Sequence, residues 1–178
     1  MYKLNLTAVN KIVYGASKEP MRYYLNGIHI YDKDGFRYYE ATDGYICFRA
    51  KDSIEGDTLP AEYIIKIQAP IKSKPKYAEL VFADKDTAVI KADNKCAFDI
   101  IDADYPDIDR IMPKNREFAK EYTMFQPDYL EKLMKAYGSM KILSETPIME
   151  DYRAPAMWEW EDDCVQYTAL LMPLRVEC

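Results

Sequence analysis

Histidine is nearly missing from this chain: His29 is the one copy in 178 residues. A histidine-rich zinc site is therefore excluded. His29 stands between Ile28 and Ile30 and reads as a satisfied sheet histidine. With no second imidazole, no Ser/His/Asp or Cys/His catalytic arrangement can be built elsewhere. Glycine is scarce too, with six copies, all at turns or helix stops, so there is no glycine-rich phosphate loop. Four cysteines, Cys47, Cys96, Cys164 and Cys178, are scattered without a CxxC. They read as free thiols of a reducing compartment, which points to a cytoplasmic protein. No apolar run approaches the roughly 18 residues of a membrane span. The opening "MYKLNLTAVNKIVY" lacks the basic-then-apolar layout of a secretory signal. Positive charge is not in excess either: the net charge is −6. That argues against a protein coated in nucleic acid, but it allows positive charge gathered on one face. Nothing in the residue inventory points to an enzyme or calls for a cofactor or metal.

What is present is a chain able to bury a core, 49% hydrophobic, with sixteen tyrosines suited to amphipathic sheet surfaces. Its length fits one domain or one and a half small ones. The N-terminus reads as a short strand, Tyr2–Asn5. Thr7 is the expected N-cap of a helix running to about Ala16. Ala8, Val9, Ile12, Val13 and Ala16 form its buried stripe; Asn10, Lys11 and Tyr14 lie off it. "RYYLNGIHIY", "FRYYEAT" and "YICFRAK" read as strands, joined by turns at Asp34-Gly35 and Asp43-Gly44. After the polar "DSIEGDTLP" the pattern restarts. "EYIIKI" is a strand, and "QAPIKSKPK" holds a helix position that Pro70 and Pro75 limit to a turn or two. "AELVFAD", "TAVIKAD" and "CAFDIID" are strands. A third round has "YTMF" as strand and "QPDYLEKLMKAYG" as helix, with Pro127 in its first turn and Gly138 at its stop. Leu130, Leu133, Met134 and Tyr137 are its stripe, and Asp128–Lys132 and Glu131–Lys135 are spaced as ion pairs. "SMKILS", "APAMWEWE" and "VQYTALLMP" are the closing strands. The pattern predicts an α+β fold of three degenerate β-α-β-β-β repeats, with antiparallel sheets and helices on one face.

Two acidic features have plain explanations. Asp99, Asp102, Asp104, Asp107 and Asp109 alternate as cation ligands can. The run lacks the mid-loop glycine and closing glutamate of an EF-hand, so a solvated strand end is the simpler reading. In "WEWEDD", Trp158 and Trp160 share one strand face and Glu159 and Glu161 the other, as in any half-buried strand. The lysines are more informative. Lys11, Lys18 and Arg22 follow the first helix position, Lys66, Lys72, Lys74 and Lys76 surround the second, and Lys132, Lys135 and Lys141 the third. With the helices on one face, these form either a weak phosphate-tracking surface or an ordinary mixed surface.

Four stretches in order, "RYYLNGIHI", "ATDGYICFRA", "YPDIDRIMPKN" and "YTALLMPLRV", resemble the bacterial DNA sliding clamp, the β subunit of DNA polymerase III. "FQPDYLEKLMKAYG" resembles a helix in the second half of that family's last domain. The resemblance implies a shortened clamp. Residues 1–115 correspond to a complete middle domain of two repeats, 1–57 and 58–115. Residues 116–178 correspond to half of the last domain.

The family receives short linear peptides of polymerases and repair proteins in a hydrophobic pocket. By motif, the resemblance implies a lining of Leu25, Thr42, Gly44, Tyr45, Ile46, Cys47, Pro106, Arg110, Ile111, Leu170, Met172, Pro173, Leu174, Arg175 and Val176. Tyr45-Ile46 stand where the family has His-Arg, and Ile108-Asp109 where it has Tyr-Arg, so the pocket is expected to be greasier. The resemblance also implies duplex DNA contact without sequence specificity. The residues assigned to it are Lys11, Lys18, Arg22, Tyr23, Tyr24, Lys132 and Lys135. The expected function is a replication processivity factor, not an enzyme, with a homo-oligomeric ring (a tetramer by repeat arithmetic) and no membrane contact. The alternative is a clamp-derived module that keeps the peptide pocket without encircling DNA.

Overall fold

A computed structural model describes residues 1–115, 123–151 and 153–174. The described strands form one antiparallel sheet of ten, in the order β1-β6-β7-β8-β5-β2-β3-β4-β10-β9. They are β1 (Tyr2–Asn5), β2 (Ile28–Lys33), β3 (Phe36–Thr42), β4 (Ile46–Ser53), β5 (Tyr63–Ile65), β6 (Tyr77–Phe82), β7 (Thr87–Lys91), β8 (Lys95–Ile101), β9 (Ala156–Asp162) and β10 (Val165–Leu171). Two helices, α1 (Leu6–Ile12) and α2 (Pro127–Tyr137), pack against each other. The α+β architecture read from the pattern is the one observed.

The first two repeats exchange their leading strands. β1 pairs with β6 of the second repeat, and β5 pairs with β2 of the first. β5 also pairs briefly with β8 of its own repeat, Ile64 opposite Ile101 and Ile65 opposite Ile100, so it bridges the two repeats within the sheet. The third repeat then extends the sheet, because β10 pairs with β4 from Gln166↔Lys51 to Leu171↔Ile46. That pairing brings two distant sequence stretches side by side.

The expected stripe of α1 is buried throughout: Ala8, Val9, Ile12, Val13 and Ala16 are all at most 7% exposed. Its cap is not Thr7. Asn5 caps the helix, its side-chain oxygen accepting from the Ala8 amide at 3.1 Å while its amide donates to Asp52 at 2.8 Å. The helix is also shorter than expected. It tightens into a 3-10 turn at Val13–Gly15, where a Cβ on Gly15 would fall 2.5 Å from the Ala41 carbonyl oxygen. On α2, Leu133 and Ala136 are buried and Leu130, Met134 and Tyr137 pack on the core. Gly138 ends the helix in the left-handed conformation at φ 89°.

Three expected strands are not strands. "RYYL" lies in a 3-10 segment, Pro20–Leu25, because Pro20 presets the helical φ; the strand begins only at Ile28. "KILS" lies in a second 3-10 segment, Met140–Ser144, capped by the Ser139 hydroxyl, which accepts from the Lys141 amide. Of "YTMF", Tyr122 lies outside the described residues, and 123–125 form no strand. Residues 66–76 contain no helical turn at all.

A buried ion pair anchors the polar connector to β1. Arg37, 1% exposed, donates to both carboxylate oxygens of Asp32 at 2.7 and 2.8 Å and to the Asp57 carbonyl at 2.9 Å. It also bonds the Lys3 carbonyl. A two-pronged buried pair of this kind fixes geometry because removing either member strands a charge.

Candidate peptide site and basic face

The turn between β3 and β4 is built by side chains. The Thr42 hydroxyl donates to the Ile46 carbonyl at 2.7 Å and accepts from the Gly44 amide at 3.1 Å. One Asp43 oxygen accepts from the Tyr45 and Ile46 amides at 3.0 and 3.1 Å; the other holds Lys132 of α2 at 2.6 Å. Gly44 has φ 94°, and Arg22 lies over it so closely that a Cβ would meet the guanidinium at 2.6 Å. Tyr45 is thereby presented outward, 52% exposed, stacked on Tyr129 at 5.9 Å. Burial, then Asp43, pushes the Tyr129 hydroxyl up to about 12.

Beside this turn the chain leaves β10. The Met172 amide donates to the Tyr45 carbonyl at 2.9 Å, and the Leu174 amide to the Met124 carbonyl at 2.8 Å. Pro173 is buried, Met172 half-buried and Leu174 44% exposed. Proline ends the ladder because it has no amide to donate. Beneath lies a small second core of Cys47, Ile108, Met157 and Leu170, flanked by Tyr105, Met112 and Ile148. Burial pushes the Cys47 thiol well above its ordinary range, so it packs as a small hydrophobe. Leu25 is buried, and so are Thr42, Ile46 and Leu170.

The loop 102–112 packs onto this second core through Tyr105, Ile108 and Met112. Asp107 caps its 3-10 turn, Ile108–Ile111, and also pairs with Arg110 at 3.1 Å. Ile108 is buried, while Pro106, Arg110 and Ile111 are exposed. Asp109 ties the loop to the sheet through Arg49 at 2.7 Å and Lys33 at 3.6 Å, and the Arg49 bond holds its carboxyl below the usual aspartate range. Tyr105 stacks on His29 at 4.6 Å. His29 in turn has Glu40 at 3.1 Å and Glu62 at 3.0 Å on its two ring nitrogens, so the lone histidine is the satisfied sheet residue it was read to be. Among the expected pocket residues, Arg175 and Val176 lie outside the described residues. Residues 42–47 and 170–174 meet along the β4–β10 seam, Pro106, Arg110 and Ile111 lie on the 102–112 loop, and Leu25 is buried at the end of the 3-10 segment, outside both apolar clusters. Met124, Tyr129 and Met157 join them. No sequence spacing signals Met124 or Met157, because both arrive through tertiary packing alone.

The residues assigned to DNA divide into two groups. Lys18, Lys132 and Lys135 line one groove of about 700 Å³ with Tyr14, Tyr45 and Tyr129. Lys11, Arg22, Tyr23 and Tyr24 lie outside that lining. Most of the cations already have acidic partners. Lys11 is 2.6 Å from Asp162, Lys132 2.6 Å from Asp43, Lys135 2.7 Å from Glu131, and Arg22 4.0 Å from Glu19. The expected Asp128–Lys132 pair is therefore replaced by one between elements. Tyr23 is 56% exposed and Tyr24 half-buried. Among the described residues no group of three or more His, Cys, Asp or Glu side chains is placed to hold a metal. No helix among them is long and apolar enough to cross a membrane.

An interlocked two-repeat sheet, extended across β4–β10 and backed by helices on one face, defines the DNA-clamp fold. The chain has that fold and resembles the bacterial sliding clamp in sequence. No protein-family profile matches it. It is 22% identical over 115 residues to the beta sliding clamp of Buchnera aphidicola subsp. Rhopalosiphum padi, covering 61% of this chain and 31% of that protein. The β subunit from DNA polymerase of Streptococcus pyogenes superposes with a TM-score of 0.75 at 14% identity, over 98% of this chain and 65% of that one. The Bacillus subtilis DNA polymerase sliding clamp gives 0.71 at 13% identity, over 99% and 64%. The chain thus spans about a third of the curated relative's length and just under two thirds of each solved clamp.

Proposed function

We propose that this protein is a clamp-like DNA replication processivity factor that captures short linear peptides of polymerases or repair proteins. Residues 1–115 act as a complete clamp-like domain and residues 116–178 as half of a second one. The carrying observation is the exposed apolar rim around the chain's exit from β10. Tyr45, Met124 and Leu174 are 52, 60 and 44% exposed, and the backbone bonds of residues 172 and 174 hold them along one seam. Ile111 of the 102–112 loop is a further exposed apolar side chain, at 45%. Surfaces that are exposed, apolar and rigidly backed serve binding rather than folding. Methionine walls adapt to several peptides, and a few anchor side chains carry most of the energy. The protein has no catalytic role in this reading.

The test is a titration with a fluorescein-labelled clamp-binding peptide from a polymerase. Binding should weaken tenfold or more in a Met172→Ala, Leu174→Ala double variant, about 1.4 kcal/mol per factor of ten. Equal binding by both proteins, or by neither, sinks the reading.

A second reading, a module that keeps the pocket without encircling DNA, is favoured by the carboxylates that already occupy Lys11, Lys132 and Lys135. A surface so paired releases few counterions on meeting phosphates. Light scattering with and without primed DNA separates the two. A ring predicts a tetramer mass, and a monomer under both conditions rules it out.

A further inference from the structure

In the first and third repeats a helix, α1 or α2, lies across the core. In the second repeat residues 66–76 carry no helical turn, and Pro70 and Pro75 leave room for no more than a turn or two. The segment runs as a strap instead. Asn10 clamps it from α1: its amide donates to the Ile71 carbonyl at 2.9 Å and its oxygen accepts from the Ile71 amide at 2.6 Å. Gln68 donates to the Ser17 carbonyl at 3.1 Å, and Asp93 accepts from the Lys74 amide at 2.9 Å. Ile67 and Ile71 plug the core, at 0 and 8% exposure.

The strap covers less than a helix would. On the helix-side face of the sheet, Ala88 and Ile90 of β7 are buried. Their cross-strand partners on β8, Phe98 and Cys96, stay half-buried. Beside them a groove of about 550 Å³ is lined by Phe98, Cys96, Pro70 and Ile71, with Lys18 and Lys72 on its rim. These two lysines are exposed and form no ion pair among the described residues. Lys11, Lys66, Lys76, Lys132 and Lys135 all do. Unused cations flank an apolar floor in a protein of net charge −6.

We propose that this groove, left beside the strap, docks an amphipathic helix of a partner protein, its apolar stripe on Phe98 and Cys96 and its acidic flanks toward Lys18 and Lys72. A helix on the floor would complete the second repeat as α1 and α2 complete the others, burying the aromatic ring that the strap leaves open. The charges select the sign of the flanks. A duplex backbone would use the two lysines but leave the floor uncovered, so nucleic acid fits this groove less well. The groove shares Lys18 and Pro70 with the neighbouring groove that holds Tyr45 and Tyr129, but none of its lining residues belongs to the segment 172–174.

The test uses the full chain and a fluorescein-labelled synthetic helix with a leucine stripe and glutamate flanks, followed by anisotropy. The helix should bind, and its Kd should rise tenfold or more in a Lys18→Glu, Lys72→Glu variant. These substitutions lie on the surface, and an unchanged circular-dichroism melt shows that the fold is intact. Phe98→Ser should weaken binding similarly, whereas Leu174→Ala at the other site should leave it unchanged. Failure of the helix to bind overturns the proposal. So does equal binding of a lysine-flanked version, or unchanged affinity in the charge-reversed variant. Duplex DNA that displaces the helix from the wild-type chain, with its own binding lost in the same variant, assigns the groove to nucleic acid instead.

Discussion

Asp43 links the turn to the third repeat with one carboxylate. One oxygen organises the two amides that aim Tyr45 outward, and the other holds Lys132 of α2. Asp43→Ala should therefore cost about 1–3 kcal/mol in urea denaturation, because the turn amides lose their acceptor. It should also weaken peptide capture at Tyr45. Asp43→Asn keeps an oxygen for the amides and should recover most of the stability while losing the Lys132 pair. If the two variants were equally stable, the turn bonds would not be the source of the effect. The TDG turn itself is legible in sequence, since Asp and Gly are the residues such a turn demands. The ion pair is not. The spacing of Asp128 and Lys132 suggested a partner within α2, but the lysine reaches 89 residues along the chain to Asp43 instead.

At the element scale, periodicity located what faces the core, whereas caps and ends were misplaced. The α1 stripe and the α2 stripe are both observed. The N-cap was expected two residues late, because Thr7 is a good cap by type while Asn5 is already placed by its bonds to Asp52 and Tyr39. Replacing Asn5 with Ala should lower stability by about 2 kcal/mol in a thermal or urea melt, combining a lost cap with the loss of one donor to the buried Asp52 carboxylate, which keeps the Ser53 amide and the Tyr77 hydroxyl. Thr7→Ala should change it by only a few tenths. Equal effects would return the cap to Thr7. "RYYL" and "KILS" look like strands by composition. They form 3-10 turns because Pro20 and the Ser139 hydroxyl decide the local backbone before side-chain propensity does.

Across the whole molecule, the strand exchange has a direct consequence. β1 pairs with β6 of the second repeat, away from β2–β4, so the first repeat does not hold its strands in one sheet, whereas β6-β7-β8-β5 of the second repeat are contiguous. A separately expressed fragment 1–57 should lack a cooperative melt by circular dichroism, and mixing it with 58–115 should restore one. A cooperative melt in 1–57 alone would show the β1–β6 pairing to be dispensable. The same organisation explains why the repeats were visible as pattern but their pairing was not. Strand order is a long-range property, and a period-2 stretch carries no record of which edge it joins.

The sequence by itself determined the α+β class, the threefold recurrence, the buried stripes and the resemblance to the sliding clamp, because periodicity and turn chemistry are local and survive divergence. Tertiary structure alone decided the rest. It set β10 against β4, so that Met172, Leu174 and Tyr45 share one seam. It gave Lys11 and Lys132 of the basic face to carboxylates from other elements, and it left Phe98 half-covered where a proline-broken strap replaces a helix. Each of these depends on which distant side chains meet, and packing settles that only once the chain has closed on itself.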